Sequence, residues 1–158
     1  DVYKRQALMR KLWTEPVLDY RGEHHRIDRA GFKPLPKRQI PIWFGGFAPV
    51  AFRRAAKIGD GFIFGSGHKQ NLEALELLRV ELDKQNRSSA DFGLEALLNY
   101  QSGPERWRGE IQDWQTEGAD YVAMRAQALR GQGGGLATAQ EHIDVLSTYW
   151  DAVGDLAG

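Results

Sequence analysis

The chain has no cysteine and only two methionines in its 158 residues. The first absence excludes disulfides and thiolate metal sites, and it fits a reducing cytoplasm. Charge of one sign is also missing, because 21 Lys and Arg balance 21 Asp and Glu. No global field draws the chain to nucleic acid or to an anionic membrane, so neither is expected as a partner. No apolar run is long enough to cross a bilayer as a helix. No Ser–His–Asp set and no metal-ligand spacing can be assembled, so no metal is expected and the residues alone name no catalyst. Aromatic residues are plentiful: five Trp, five Tyr and seven Phe argue for a packed core over disorder. The length suits one domain.

The chain begins without methionine. Residues 1–6 back-translate as GAT GTG TAT AAG AGA CAG, which resembles the transposon end joined to DNA fragments in sequencing-library preparation. The expectation is a scar over 1–6, with a partial domain over 7–158 whose N-terminal half is missing.

Residues 7–13 read as the last turns of a helix that Pro16 ends. Residues 17–27 read as a hairpin turning near Arg21-Gly22-Glu23, with His25 and Ile27 on its second strand. Prolines 34, 36 and 41 make the next stretch extended. A regular alternation follows. A strand over 40–44 leads to a helix over 49–58, and a strand over 61–64 to a helix over 71–86 with Leu72, Leu75, Leu78 and Leu82 buried. A strand over 92–100 leads to a helix opened by Pro104 and stopped at Gly118, carrying Trp107, Ile111 and Trp114 inward. A strand over 120–125 leads through glycines 131 and 133–135 to a last helix, capped at Thr138-Ala139-Gln140-Glu141 and apolar at Ile143, Leu146, Tyr149, Trp150 and Val153. Four βα units imply a parallel sheet with right-handed crossovers. Two architectures fit: an open doubly wound sheet, or the second half of an eight-unit α/β barrel.

Within this frame Ile40-Pro41-Ile42-Trp43-Phe44-Gly45-Gly46 is the most informative segment. Strand, glycine pair and helix start together can aim free N–H groups and a helix dipole at an anion, typically a phosphate. The same glycines can equally serve only to relieve crowding in a tight turn.

The order and spacing of several strings extend the reading. Leu12-Trp13-Thr14-Glu15, Tyr20-Arg21-Gly22-Glu23-His24-His25 and Lys33-Pro34-Leu35-Pro36 precede the glycine segment; Asp60-Gly61-Phe62-Ile63 and Gly118-Ala119-Asp120-Tyr121-Val122 follow it. Together they resemble the bacterial luciferase-like oxidoreductases from Ala7 to about Val153. The resemblance implies a (β/α)8 TIM barrel, here its C-terminal half, that binds FMN or the deazaflavin F420 at the C-terminal strand ends. It implies monooxygenation or hydride transfer on a small organic substrate, and a homo-oligomer at full length. It places Gly45 and Gly46 beside the cofactor phosphate, with Phe47 and Ala48 starting the turn, and leaves the redox-ring contacts mostly to the other half. A non-redox half-barrel that binds a phosphorylated metabolite, and an inert truncated fragment, remain the alternatives.

Three further residues are substrate-binding candidates because they fall at or just beyond strand ends: His68, Asn99 and Arg125. Each can equally belong to a solvated loop. His24 and His25 are adjacent, so on a strand they point to opposite faces and cannot share a metal. The glycine run lacks the context of a nucleotide-binding fingerprint and is expected to form a loop over the barrel mouth.

Overall fold

Residues 2–14 contain neither glycine nor proline, and they form α1 (Val2–Thr14). Thr14 Oγ1 bonds back to the Arg10 carbonyl at 3.0 Å, and Pro16 follows the end. Residues 2–6 thus continue the helix expected from Ala7. The computed structural model describes residues 2–127 and 134–156, and the chain divides into two units, 1–42 and 43–158.

In the first unit, β1 (Leu18–Arg21) and β2 (Arg26–Ala30) pair antiparallel. Asp19 Oδ1 accepts from the Arg29 amide at 3.0 Å, holding the one hairpin residue with φ of 49°. The Gly22 amide donates to the His25 carbonyl at 2.8 Å, so His24 and His25 lie in the turn and not on a strand. The expected turn at 21–23 is therefore longer, and its closing bond explains the shift.

The second unit alternates strand and helix throughout. Its elements are β3 (Trp43–Gly45), α2 (Pro49–Ile58), β4 (Gly61–Phe64), α3 (His68–Asp83), β5 (Gly93–Asn99), α4 (Pro104–Thr116), β6 (Tyr121–Arg125) and α5 (Ala139–Val153). The four strands form one parallel sheet in chain order. β3 starts three residues later than expected, because Pro41 has no amide to give to a ladder. α3 starts three residues earlier than expected. Asn71 accepts from the Ser66 amide at 2.8 Å and donates to its carbonyl at 3.2 Å, which clamps the loop onto the first turn. Asn71 is thereby buried on the stripe of Leu75, Leu78 and Leu82, while Leu72 is only partly buried.

Burial along β5 alternates strictly: Leu94, Ala96 and Leu98 are buried, and the residues between them are half-exposed. Phe62, Phe64, Leu94 and Ala96 pack with Phe52 of α2, Leu75 and Leu78 of α3 and Trp114 of α4. Leu98 packs with Trp107 and Ile111 of α4 and Val153 of α5. All four helices therefore cover one face of the sheet. A doubly wound sheet has helices on both faces, so the arrangement is that of half a barrel.

The opposite face carries Trp43, Ile63, Glu95, Leu97, Tyr121, Ala123 and Arg125 by strand register. Trp43 lies across two neighbouring strands: a Cβ on Gly61 would sit 2.5 Å from its ring, and one on Gly93 2.3 Å. Glycine at both positions is what lets the indole lie flat and reach Tyr121, 5.9 Å away between ring centroids.

Arg87 closes the C-terminus of α2. Its Nη1 donates to the carbonyls of Ala56 and Gly59, both at 2.8 Å, and its guanidinium lies 5.2 Å from the Phe92 ring centroid. Arg87→Ala is expected to cost roughly 2–3 kcal/mol, because helix-end carbonyls lose a charged donor. Urea melts of the two proteins measure the difference.

The capping box of α5 forms as expected, with Thr138 accepting from the Glu141 amide and Glu141 from the Thr138 amide. Its apolar face does not bury as expected. Val153 is buried, but Ile143, Leu146 and Trp150 are exposed, Trp150 by 63%. No element among the described residues of this unit lies beyond β6 to cover them. Residues 131–133 of the glycine run lie outside the described residues. Among the described residues no helix is long and apolar enough to cross a membrane.

Candidate functional site at the strand ends

Parallel pairing brings the C-terminal ends of all four strands to one rim. Gly45 pairs with Ile63, and Asn99 with Arg125. The sites predicted from sequence on β3, β5 and β6 therefore share this rim, and His68 enters it from the first residue of α3.

At β3 the two glycines do different work. Gly45 is the last strand residue, where a Cβ would lie 3.3 Å from the Ile63 carbonyl oxygen. Gly46 makes the turn at φ of 131°, a conformation side chains rarely adopt. Phe47 is 70% exposed, and Ala48 is the N-cap of α2. Alanine offers no side-chain oxygen, so the first turn of α2 has no side-chain cap. Pro49 has no amide and the Ala51 amide bonds the Ala48 carbonyl at 2.8 Å, so Val50 supplies the first-turn amide that an anion could take.

Arg125 reaches over β5 from β6. Its Nη1 donates to the Gly65 carbonyl at 2.9 Å, just beyond the end of β4. Its Nε and Nη2 are buried and lack a hydrogen-bond partner among the described residues. Buried donors left over on a fixed cation fit an acceptor that arrives with a ligand. The residues present thus fit a phosphate-bearing group: a glycine turn, an uncapped helix start and a guanidinium with donors to spare.

His68 is not in a solvated loop. Its Nε2 is 2.8 Å from Asp113 Oδ2, its side chain is 18% exposed, and its ring meets Trp114 edge-on. Its Nδ1 is buried without a partner among the described residues. Asn99 has a structural task, since its Oδ1 accepts from the Gln101 amide at 3.1 Å and its carbonyl from Trp107 Nε1 at 2.9 Å. His68 and Asn99 line one cleft with Arg106, Glu110 and Trp114.

Glu110 is the residue that the sequence reading missed. It is 8% exposed on α4 and accepts no hydrogen bond among the described residues. Burial pushes its carboxyl above the usual carboxylate range, and Asp113 adds to this, against the pull of His68 and Arg106. A carboxyl raised on folding disfavours the folded state once it ionises. That penalty is absent below the unfolded-state pKa and is complete above the folded one. Glu110→Gln is therefore expected to raise the melting temperature at neutral pH, with the gain vanishing near pH 4. Thermal melts across that range check it. A detectable signal was present: Glu110 is three residues after Trp107 and four before Trp114, on the buried stripe itself.

One family model covers nearly the whole chain. The profile described as luciferase-like monooxygenase matches residues 6–155. The F420-dependent glucose-6-phosphate dehydrogenase of Intrasporangium calvum is 32% identical over 113 residues, which is 68% of this chain and 34% of that protein. The enzyme of the same name from Segniliparus rotundus is 34% identical over 61% of this chain and 30% of its own length. The chain thus spans about a third of the length of the curated relatives it matches. Among solved structures, an F420-dependent secondary alcohol dehydrogenase in complex with an F420-acetone adduct superposes with a TM-score of 0.52 at 14% identity, over 94% of this chain and 52% of that one. The coenzyme F420 dependent tetrahydromethanopterin reductase of Methanopyrus kandleri gives 0.52 at 16% identity, over 62% and 30%. At such identities these two speak for the fold alone. With a profile match over nearly its whole length, the chain belongs to the luciferase-like monooxygenase family.

Proposed function

We propose that this chain is the second half of a barrel oxidoreductase that transfers hydride between a small organic substrate and the deazaflavin F420. The observation that carries the reading is the combination, on one rim, of the glycine turn at 45–46 and the unpartnered nitrogens of Arg125. The names of the relatives favour F420 over FMN. In this reading the first half of the barrel, with most contacts to the redox ring, comes from a preceding part of a longer protein. The lack of cysteine supports a cytoplasmic setting.

When bound, the deazaflavin supplies the hydride chemistry. The chain's own residues position it. Gly45 and Gly46 would allow the phosphate to approach the backbone, and the Val50 amide at the start of α2 would bond one of its oxygens. Arg125 adds charge, and its bond to Gly65 fixes the guanidinium before the ligand arrives. Trp43, flat on the inner face, helps exclude water from the barrel interior. In this reading the cleft between β4 and β5, lined by His68 and Asn99, is the substrate side.

The test is a side-by-side titration of F420 and FMN into the product of the complete reading frame that encodes these residues. Saturable F420 binding, tighter than FMN, is expected. Tighter FMN binding would replace the cofactor, and binding of neither would end the reading.

A further inference from the structure

The sheet of the second unit ends on β3 at one side and on β6 at the other, and among the described residues no strand pairs with either outer edge. An edge strand presents backbone donors and acceptors that another chain can take up. The β6 edge is also apolar. Ile143, Leu146 and Trp150 of α5 are exposed, as is Tyr121 at the start of β6. Between α4, β6 and α5 lies a groove of about 350 Å³, lined among others by Ile111, Val122, Tyr149 and Val153. A continuous exposed surface of this kind marks a contact site.

Charge tells the two edges apart. α2, beside β3, carries Arg53, Arg54 and Lys57 and no acidic residue. α5, beside β6, carries Glu141, Asp144 and Asp151 and neither lysine nor arginine. The two helices between them, α3 and α4, carry both signs. In a barrel each helix packs beside the next one, so a copy added at the β6 edge sets its own α2 against α5. Opposite charges then face each other around the apolar stripe, whereas an α5–α5 contact would bring acidic groups together. Such a seam is head to tail, and four strands from each of two copies make the eight of a closed ring with two equal seams and no edge. We propose that the chain pairs with a second copy of itself, β6 and α5 of each against β3 and α2 of the other. The pairing brings the C-terminal end of the partner's β6 beside that of β3, so the partner's Arg125 stands on the strand next to Gly45. The inference goes beyond the proposed function, which draws the other four strands from a longer protein: in the chain alone, a second copy takes their place.

Sedimentation of the 158-residue chain, with no cofactor added, tests the pairing. Its failure would leave the F420 titration of the longer protein untouched. The wild-type chain is expected to sediment as a dimer. Two variants reverse the sign of one edge each, at exposed positions: Arg53→Glu with Lys57→Glu on α2, and Asp144→Lys with Asp151→Lys on α5. Each variant alone is expected to dimerise about tenfold or more weakly, because like charges then meet at both seams. Mixed in equal amounts, the two are expected to dimerise within about threefold of wild type, because each altered edge now meets its opposite. Circular dichroism checks that both variants are folded, and the wild-type mass decides the matter even if one is not. A monomeric wild type overturns the proposal, as does open-ended growth beyond two copies. A mixture of folded variants no tighter than either alone overturns it as well.

Discussion

Gly46→Val is expected to weaken F420 binding on the order of 100-fold. Gly46 has φ of 131°, where a β-branched residue is strained, and its Cβ would lie 3.2 Å from the Ala51 side chain. Strain of about 1–3 kcal/mol is relieved most simply by swinging the turn away from the Val50 amide. The loss of aim then falls on the ligand more than on the core, because Phe52, Ala55 and Ala56 of α2 remain seated against the sheet. Gly46→Ala should fall between wild type and valine, because it shares the backbone strain but adds less bulk. Fluorescence titration with F420 measures all three. Equal affinities across the series would mean that the turn only connects β3 to α2.

Trp114→Ala is expected to cost about 3–5 kcal/mol in stability. The indole is fully buried, packed 5.2 Å from Phe64 and edge-on to His68 between ring centroids. Its removal opens a cavity where α3, α4 and the sheet meet, and no neighbouring side chain is free to fill it. Trp114→Phe should cost much less, because the phenyl ring fills part of the space and the unpartnered Nε1 donor disappears with the indole. Urea unfolding followed by far-ultraviolet circular dichroism separates the two variants. A loss below about 1 kcal/mol for alanine would show that the helix layer does not rest on this ring.

Much of the second unit could be read before the structure, for local reasons. α2 runs from Pro49 to Ile58 as expected, because proline at its start and Gly59 after its end act within one turn. β4 also has the expected bounds, bracketed by Asp60 before it and the Gly65-Ser66-Gly67 loop after it. The choice between an open sheet and a half barrel came from the family resemblance and not from the periodicity. It depends on which face each helix covers, and a hydrophobic stripe shows that a helix buries a side without showing against what. α5 makes the same point: its apolar face is real, but Ile143, Leu146 and Trp150 remain exposed. The role of Trp43 also lay outside local pattern, since the glycines beneath its ring come from two other strands and meet it only through register.

The candidate site was legible in the same uneven way. The glycine turn stands out in the sequence because it follows a strand and opens a helix. Arg125 could be placed at a strand end, but its reach across β5 to Gly65 is a tertiary fact. Asn99 was a sound candidate by position and is occupied as a cap. Glu110 was hidden because a charged residue on a helix is ordinarily read as solvated, although its spacing from Trp107 and Trp114 marks it as inward.

In the proposed function the cofactor phosphate is held by the rim at Gly45, Gly46 and Arg125. Amide and guanidinium resonances of the protein carrying this chain, followed by nuclear magnetic resonance while F420 is added, test it most directly. Saturable shifts are expected at the Gly45, Gly46 and Val50 amides and at Arg125 Nε, all fitting one dissociation constant. Saturable binding that leaves these four signals unmoved would contradict it.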